Sequence, residues 1–387
     1  FFSSPHIAMA SSPTAKQNAL SFLPANGSGV CTLQLAQVNT PLPTVDQVST
    51  MGSAKLGFEG NYDQFLAQSK SQDRLKVQMK NKVKKCSCGK PCAFTLTECN
   101  SCGASLVDLE ITYTNNVFMG FIYGLQGMTV SLRYESESYL CFDDLLQLSV
   151  AHLNCIPTSI YCPDWRLLLK NPKEGLKIVN ELFDTCWEAF VKQFYGNDAW
   201  RTRMLKGSPS PEALKKHVIA GFNYPPSQYQ LHLQFIVPPM VPFHYFQYKN
   251  GIHYTPKRFF PIEYVRKVLE LNHAVPDVES KGADDIIQLF NGKGVEYDSI
   301  HSHCYARYDV SHNELANWNK SDFSAVVVDG VAVYDIKTGS LIPDCDTKSL
   351  QATDKHALQS YGRPYDANNK PSTKYYSHPR KEALTAL

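Results

Sequence analysis

SQYQLHLQF, residues 227–235, has the alternation of a β-strand that buries one of its two faces. A period of two between apolar and polar residues is typical of a strand in a sheet with one covered face. The apolar positions are Leu231, Leu233 and Phe235. The polar positions are Gln230, His232 and Gln234. The stretch therefore predicts a strand that carries one imidazole between two amides.

Other segments predict a mixture of strands and helices around this strand. Residues 150–157, VAHLNCIP, and 218–224, VIAGFNY, have the composition of strands, and SYLCFDD forms a hairpin with the preceding strand around Ser136. Residues 62–85, 174–194 and 261–274 have helical spacing. We expect PPMVP after Val237 to end its strand, because proline cannot donate to a sheet. The predicted fold class is α+β.

Length and composition limit the classes of function. The chain has 387 residues, 43% of them hydrophobic, and a net charge of +2. This length allows two globular units, or one core domain with additions. The small charge gives no reason to expect a nucleic acid or a membrane surface as partner. No apolar run approaches the roughly 20 residues of a membrane span.

Residues 86–103, CSCGKPCAFTLTECNSCG, contain five of the twelve cysteines. Two thiolate pairs separated by a short hairpin can close a tetrahedron around Zn²⁺, and a site with four sulfur ligands is structural. We expect the ligands to be Cys86, Cys88, Cys99 and Cys102, with Cys92 as a spare or substitute. The alternative is a loop of free thiols.

An ordered series of residues resembles a known family. It consists of Phe142-Asp143-Asp144, then His152-x-x-x-Ile156-Pro157, then Ser227-Gln228 with His232 and Gln234. This series is similar to the histidine-triad (HIT) superfamily, in the branch of diadenosine tetraphosphate phosphorylases and galactose-1-phosphate uridylyltransferases. The resemblance covers about residues 110–245. It implies a HIT-like antiparallel sheet with flanking helices.

The resemblance also implies the catalytic residues. His232 matches the nucleophile that attacks an α-phosphate and forms a nucleotidyl-histidine, and Gln234 matches the amide that binds that phosphate. Gln230 stands where the family motif has its first histidine, which orients the reaction or handles protons. A neutral imidazole is a competent nucleophile near pH 7 if its other nitrogen is held by an acceptor.

The nucleotide-binding residues implied by the resemblance lie on either side of the catalytic strand. Ser227 matches a hydroxyl that holds a phosphate oxygen, and Gln228 follows it in the motif. Asp144 matches an acid that binds the ribose hydroxyls, or it caps a turn. Asn223 is expected to contact a phosphate or the backbone.

Three other features receive a structural interpretation. His152 is expected to pack or hydrogen-bond between hairpin and core. HSHC, residues 301–304, places two histidines and a cysteine on one strand face without a partner cluster. The aromatic run at 242–261 suits either a satellite apolar cluster or stacking on bases.

These observations predict four segments: a flexible arm at 1–55, a helix and zinc ribbon at 56–106, a HIT-like domain at 107–275, and a C-terminal extension at 276–387. The leading hypothesis is a nucleotide phosphorylase, hydrolase or nucleotidyltransferase acting on a phosphoanhydride. The alternative is a catalytically degenerate protein that binds nucleotide or serves as a subunit, with arm and tail available to a homodimer or another partner. We expect the protein in the cytoplasm, because residues 1–58 contain no arginine, which argues against a transit peptide. The mitochondrion is the alternative, because the same residues contain only one acid, as an organelle presequence would.

Overall fold

A computed structural model describes residues 62–69, 72–87, 90–99, 104–123, 132–144, 149–240, 242–249, 251, 253–316, 323–328, 331–336 and 384–386. The predicted α+β class is confirmed, since the chain combines antiparallel sheets with packed helices. The predicted arm at 1–55 and most of the tail after 345 lie outside the described residues.

Thirteen strands are present in the described part of the chain. They are β1 Lys80–Lys85, β2 Pro91–Ala93, β3 Ile111–Asn115, β4 Leu132–Glu135, β5 Tyr139–Asp143, β6 Ser149–Pro157, β7 Ile160–Tyr161, β8 Ile219–Asn223, β9 Leu233–Met240, β10 Phe259–Pro261, β11 Phe323–Val328, β12 Val331–Ile336 and β13 Thr385–Ala386.

The α-helices of the same residues lie mainly after the first three strands. They are α1 Tyr62–Gln68, α2 Gln72–Gln78, α3 Val117–Tyr123, α4 Pro172–Phe190, α5 Asp198–Met204, α6 Pro211–Lys215, α7 Pro242–Lys249, α8 Ile262–Glu270, α9 Ala283–Asn291 and α10 Tyr297–Leu315. Short 3₁₀ helices occur at Trp165–Lys170 and Val278–Ser280, and a π-helical turn, Val191–Tyr195, follows α4.

The central sheet has six antiparallel strands in the order β10-β8-β9-β6-β5-β4. The strand predicted over residues 227–235 is confirmed only from Leu233, where β9 begins; residues 227–232 precede it without strand pairing, so Gln230 and His232 do not share its polar face. Within β9 the alternation holds, since Leu233 and Phe235 enter the main apolar cluster, which α4 and α8 also form. Gln234 lies between them on the opposite face of β9 and borders a pocket. The sheet therefore has one apolar face and one face with polar positions.

Two smaller apolar clusters cover the ends of that second face. One lies around α3 and includes Phe118, Phe142 and Ile156. The other joins the aromatic run to α10 through Tyr254, Phe259 and Tyr308. The expectation of a satellite apolar cluster in the run at 242–261 is confirmed. The gap between these clusters leaves the centre of the second face open.

The N-terminal segment forms a separate three-stranded sheet in the order β2-β1-β3. The prediction of continuous helical spacing over residues 62–85 is wrong from Lys80 onward, because β1 follows α2. In β1 the buried residues Asn81 and Val83 alternate with lysines, and this period of two favours a strand.

Two further predictions are corrected. PPMVP does not end its strand, since β9 continues through Pro238 and Pro239 to Met240. The register against β6 shifts between the pairs Ala151–Val237 and Ser149–Met240, so the prolines occupy a bulge, where no ladder donor is required. HSHC lies on helix α10 and not on a strand, and His301 binds the Tyr254 carbonyl.

The stretch FSAVVVDGVAVYD, residues 323–335, alternates around Asp329-Gly330 as a hairpin does, and β11 pairs antiparallel with β12. In the predicted C-terminal extension, Phe290, Tyr297 and Leu315 belong to the main apolar cluster of the sheet. None of the helices in the described ranges is both long enough and apolar enough to span a bilayer.

Candidate functional site

A pocket of about 250 Å³ occupies the open centre of the second sheet face. Polar side chains from β6, β8 and β9 form its floor, the loop before β2 and β2 itself form one side, and the segment before β10 forms another. Its polar lining residues are Lys90, Asp144, His152, Asn154, Asn223, Ser227, Gln228, Gln234, His253 and Arg258. The pocket thus lies between the central sheet and the small N-terminal sheet.

Five residues predicted from the resemblance line this pocket together: Asp144, Asn223, Ser227, Gln228 and Gln234. They come from sequence positions as far apart as 144 and 234, and the antiparallel order of β5, β6, β9 and β8 brings them together. The Gln228 side-chain oxygen accepts hydrogen bonds from Asn81 Nδ2 at 3.0 Å and the Val117 amide at 2.9 Å. Gln228 therefore also attaches the small sheet and α3 to the pocket rim.

His232 lies just before β9, behind the pocket wall. Its Nδ1 is 2.8 Å from the carbonyl oxygen of Gln230, so Nδ1 carries the proton and donates it to that oxygen. Its side chain is only 6% exposed, and the Phe118 ring meets it edge-on at a centroid distance of 5.0 Å. Burial lowers the pKa of His232, although the Gln230 carbonyl and Asp144 oppose that effect. The imidazole is neutral at pH 7.

Gln230 does not line the pocket. Its side chain is fully buried; its Nε2 donates to the Pro157 and Ile160 carbonyls at 2.7 and 2.9 Å, and its Oε1 accepts from the Cys162 amide at 3.1 Å. These bonds tie the start of the motif to the loop after β6. The amide is therefore engaged in contacts with the backbone.

His152, interpreted as a packing residue, belongs to the pocket lining. Its Nε2 lies 2.6 Å from Gln234 Oε1 and 3.6 Å from Asp144 Oδ2. Asn154, which the sequence reasoning missed, donates from Nδ2 to Asp144 Oδ2 at 2.6 Å. The signal that could have identified Asn154 is the strand period, since residues 152 and 154 share a face with Asp144 across β5. The four side chains form one polar network on the pocket floor.

The sequence reasoning also missed Arg258, His253 and Lys90. The first two stand in the aromatic run, and their basic character within it was the available signal. Arg258 reaches the pocket because β10 pairs with β8, with Phe259 opposite Asn223. A Cβ on Gly221 would approach the Phe260 carbonyl oxygen to 2.5 Å, so glycine at this position permits that close pairing.

Three of the five clustered thiols lie together beside the pocket. Cys92 Sγ lies 3.6 Å from Cys99 Sγ, and Cys86 belongs to the same small buried cluster. Two thiolates on one tetrahedral zinc ion, each about 2.3 Å from it, would be about 3.8 Å apart, so this pair fits. Within the described ranges no set of three or more His, Cys, Asp or Glu side chains could hold a metal ion. Cys88 and Cys102 lie outside those ranges, and zinc stays a prediction.

Comparisons with known proteins complete the description. No protein-family model matches the chain, and the search of curated proteins gives no significant match. Among solved structures, the chain is similar to Hnt3 in complex with DNA and guanosine, at 16% identity and a TM-score of 0.26, over 47% of this chain and 89% of that one. It is also similar to the aprataxin ortholog Hnt3 from Schizosaccharomyces pombe, at 14% identity and a TM-score of 0.27, over 48% and 88%. At these TM-scores the similarity carries no argument about this chain.

Proposed function

We propose that this protein is a HIT-like nucleotide phosphorylase, hydrolase or nucleotidyltransferase, and that it cleaves a phosphoanhydride with His232 as nucleophile. The observation that carries the proposal is the 2.8 Å hydrogen bond from His232 Nδ1 to the Gln230 carbonyl. It fixes the tautomer in which Nε2 holds a free lone pair, and burial keeps the ring neutral. A fixed, neutral imidazole beside a polar pocket is what nucleophilic attack on phosphorus requires.

In the proposed reaction, His232 Nε2 forms a bond to the α-phosphorus while the bond to the bridging oxygen breaks. The remaining phosphate chain leaves with that oxygen. Water, phosphate or another acceptor then attacks the same phosphorus and releases the histidine. In this proposal Gln234 and Ser227, which line the pocket, would donate hydrogen bonds to the α-phosphate oxygens, and Asp144 would accept from ribose hydroxyls.

Access to the nucleophile requires a movement of Phe118. This ring lines the pocket and also covers His232. Phe118 lies in the first turn of α3. A rotation of its side chain would connect Nε2 with the pocket without any change in the sheet.

A second candidate, a catalytically degenerate nucleotide-binding protein, is favoured by Gln230. The amide that replaces the first motif histidine makes three backbone contacts and does not line the pocket. In that case the pocket would bind nucleotide without covalent chemistry, and the protein would act as a subunit of an assembly.

The exposed face of the small N-terminal sheet also favours a nucleic-acid substrate, with the nucleotide at the end of a strand. The small net charge of the chain gave no reason to expect such a partner. Tyr113 on β3 lies directly opposite Lys82 on β1, and both side chains are exposed. An aromatic ring beside lysines suits base stacking and attraction of phosphate. This candidate predicts salt-sensitive binding of a single-stranded oligonucleotide that Lys82→Gln weakens, as measured by fluorescence anisotropy.

The test of the leading proposal is intact-mass analysis after incubation with diadenosine tetraphosphate. We expect an adduct of one nucleotidyl group in wild-type protein and none in His232→Ala. His303→Ala is the matched control, because His303 is exposed on α10. If neither an adduct nor turnover occurs, while nucleotide raises the melting temperature of the protein, the result supports the catalytically degenerate binding protein instead.

A further inference from the structure

Arg258 is a pocket-lining cation that has no acidic partner in the described part of the chain. Its Nη1 donates to the Pro225 carbonyl at 2.8 Å, and no carboxylate of the described residues lies within 4.0 Å of it. Among the other buried or partly buried arginines of the described residues, Arg266 also has no carboxylate within 4.0 Å, but it lies outside the pocket lining and donates to Asn180 Oδ1 at 2.8 Å. Arg133, Arg166 and Arg307 are paired with Asp143, Asp164 and Glu263 at 2.5 to 2.8 Å.

An unpaired guanidinium in a partly buried position is unfavourable for the empty protein. Withdrawing such a group from water is strongly unfavourable unless an anion compensates its charge. Burial lowers the pKa of Arg258 to about 10, so the group remains charged at pH 7. Its planar fork of donors suits a phosphate oxygen pair. The missing counter-ion is therefore expected to come from a ligand.

Two more groups face the same part of the pocket. Lys90, from the loop before β2, also has no carboxylate within 4.0 Å among the described residues, and its charge helps to lower the pKa of His253. His253 lines the pocket, and its Nε2 is buried with no hydrogen-bond partner there. Asp144 is the single acidic lining residue in the described ranges. The lining thus has an excess of positive charge.

The backbone holds this group of residues in a specific conformation. Tyr254 and Lys257 have φ values of 58° and 64°, in the left-handed region that non-glycine residues seldom adopt. Such backbone conformations are strained, and they cluster at ligand sites. They immediately follow His253 and precede Arg258, so the loop pays this strain while directing both side chains to the pocket.

We propose that Arg258, Lys90 and His253 form a second anion subsite, which binds the phosphate beyond the α-phosphate of a nucleotide. The inference rests on the proposed function in one respect: it takes the Gln234 and Ser227 side of the pocket as the α-phosphate site. The proposal narrows the expected substrates to nucleoside di- and polyphosphates. It also takes one residue of the subsite, Lys90, from the loop that precedes β2 of the small N-terminal sheet.

The test is isothermal titration calorimetry of the full chain with AMP, ADP and inorganic pyrophosphate. We expect ADP to bind at least tenfold more tightly than AMP. In Arg258→Gln, ADP should fall to the affinity of AMP, and Lys90→Gln should lose part of the difference. Lys293→Gln, at an exposed lysine after α9, is the charge-matched control and should retain all of it. Binding of pyrophosphate alone, lost in Arg258→Gln, would identify a general phosphate-chain site, whereas ADP binding without pyrophosphate binding would show that the subsite acts only with the nucleoside in place.

Equal affinities for AMP and ADP in wild-type protein, or an ADP preference that survives both substitutions, would overturn the inference. Melting temperatures check the fold of each variant, and Arg258→Lys, which keeps the charge, should retain part of the preference. The titrations are repeated in His232→Gln, where no adduct can form. A failure of the proposed catalysis would leave the ADP preference intact, and a failure of the subsite would leave the adduct intact, so the two are distinguishable.

Discussion

His152 on β6 and Gln234 on β9 are joined by a hydrogen bond of 2.6 Å between Nε2 and Oε1. Because the amide oxygen can only accept, His152 donates the proton. The two N–H groups of Gln234 are then free to point into the pocket, towards the proposed α-phosphate. His152 therefore acts as a positioning residue for Gln234.

We predict that His152→Leu weakens ADP binding about tenfold, because the Gln234 amide loses its fixed orientation, and its hydrogen bond to a charged phosphate is worth roughly 1.5 kcal/mol. Titration calorimetry measures the effect. In a Gln234→Leu background the same substitution should change little, since nothing remains to be oriented. Equal losses in both backgrounds would show that His152 contributes only to stability.

The period of the strands explains what the sequence could predict. Alternation placed Leu233 and Phe235 in the core and Gln234 on the opposite face, and it needed no knowledge of the neighbouring strands. The same rule applied to β6 would have placed His152 and Asn154 beside Gln234. The motif order then identified Asp144 and Ser227 as neighbours of one pocket.

The remaining site residues depend on contacts that no local pattern reveals. Arg258 reaches the pocket only through the pairing of β10 with β8, and Lys90 only through the attachment of the small sheet at Gln228. The orientation of Gln230 is set by three backbone groups of the 157–162 loop. Such long-range partners require the folded chain.

Zinc content is the next prediction. We expect one equivalent of zinc in native mass spectra, because Cys92 and Cys99 have the sulfur separation of two ligands on one ion. Chelation should lower the melting temperature and also weaken ADP binding, since Lys90 and Cys92 belong to the pocket wall.

Single substitutions identify the ligand set. If Cys92 is a ligand, Cys92→Ser loses the zinc. If Cys92→Ser keeps one equivalent and Cys88→Ser loses it, the set predicted from spacing is correct, with Cys86, Cys88, Cys99 and Cys102. Cys304→Ser is the control, as a buried cysteine in another cluster. Protein that never contains zinc would contradict both sets.

The buried pair of Arg133 with Asp143 predicts a large loss of stability on disruption. Two N–H groups of the guanidinium donate to the two carboxylate oxygens at 2.7 Å, and both side chains are at most 1% exposed. Asp143→Asn should lower the free energy of unfolding by about 3–5 kcal/mol, because it leaves a buried charge uncompensated. Urea unfolding measures this change.

The exposed pair of Arg201 with Asp198 gives the matched control for that experiment. Asp198→Asn should cost less than about 1 kcal/mol, because water screens an exposed pair. The double variant Arg133→Met with Asp143→Leu should be less destabilised than Asp143→Asn. A loss below about 1 kcal/mol in Asp143→Asn would contradict the buried geometry.

The pH dependence of stability should follow two buried histidines, His253 and His312. Burial lowers the pKa of each to about 3, against 6.5 for an unperturbed imidazole. Below pH 6.5 the unfolded chain therefore binds protons that the folded chain does not, and the free energy of unfolding falls as the pH is lowered. Between pH 7.5 and 5.0 each histidine should account for a loss of about 2 kcal/mol.

Substitution of His312 isolates one of the two contributions. Its Nδ1 accepts a hydrogen bond from the Met240 amide at 3.0 Å, and the oxygen of a glutamine can accept in its place. His312→Gln should thus remove about 2 kcal/mol of this pH dependence in urea unfolding at pH 7.5 and 5.0, whereas His303→Gln, on the exposed side of α10, should retain it. An unchanged dependence in His312→Gln would mean that the folded chain protonates this imidazole as readily as the unfolded chain does, and the acceptor role of its Nδ1 at pH 5.0 would then be wrong.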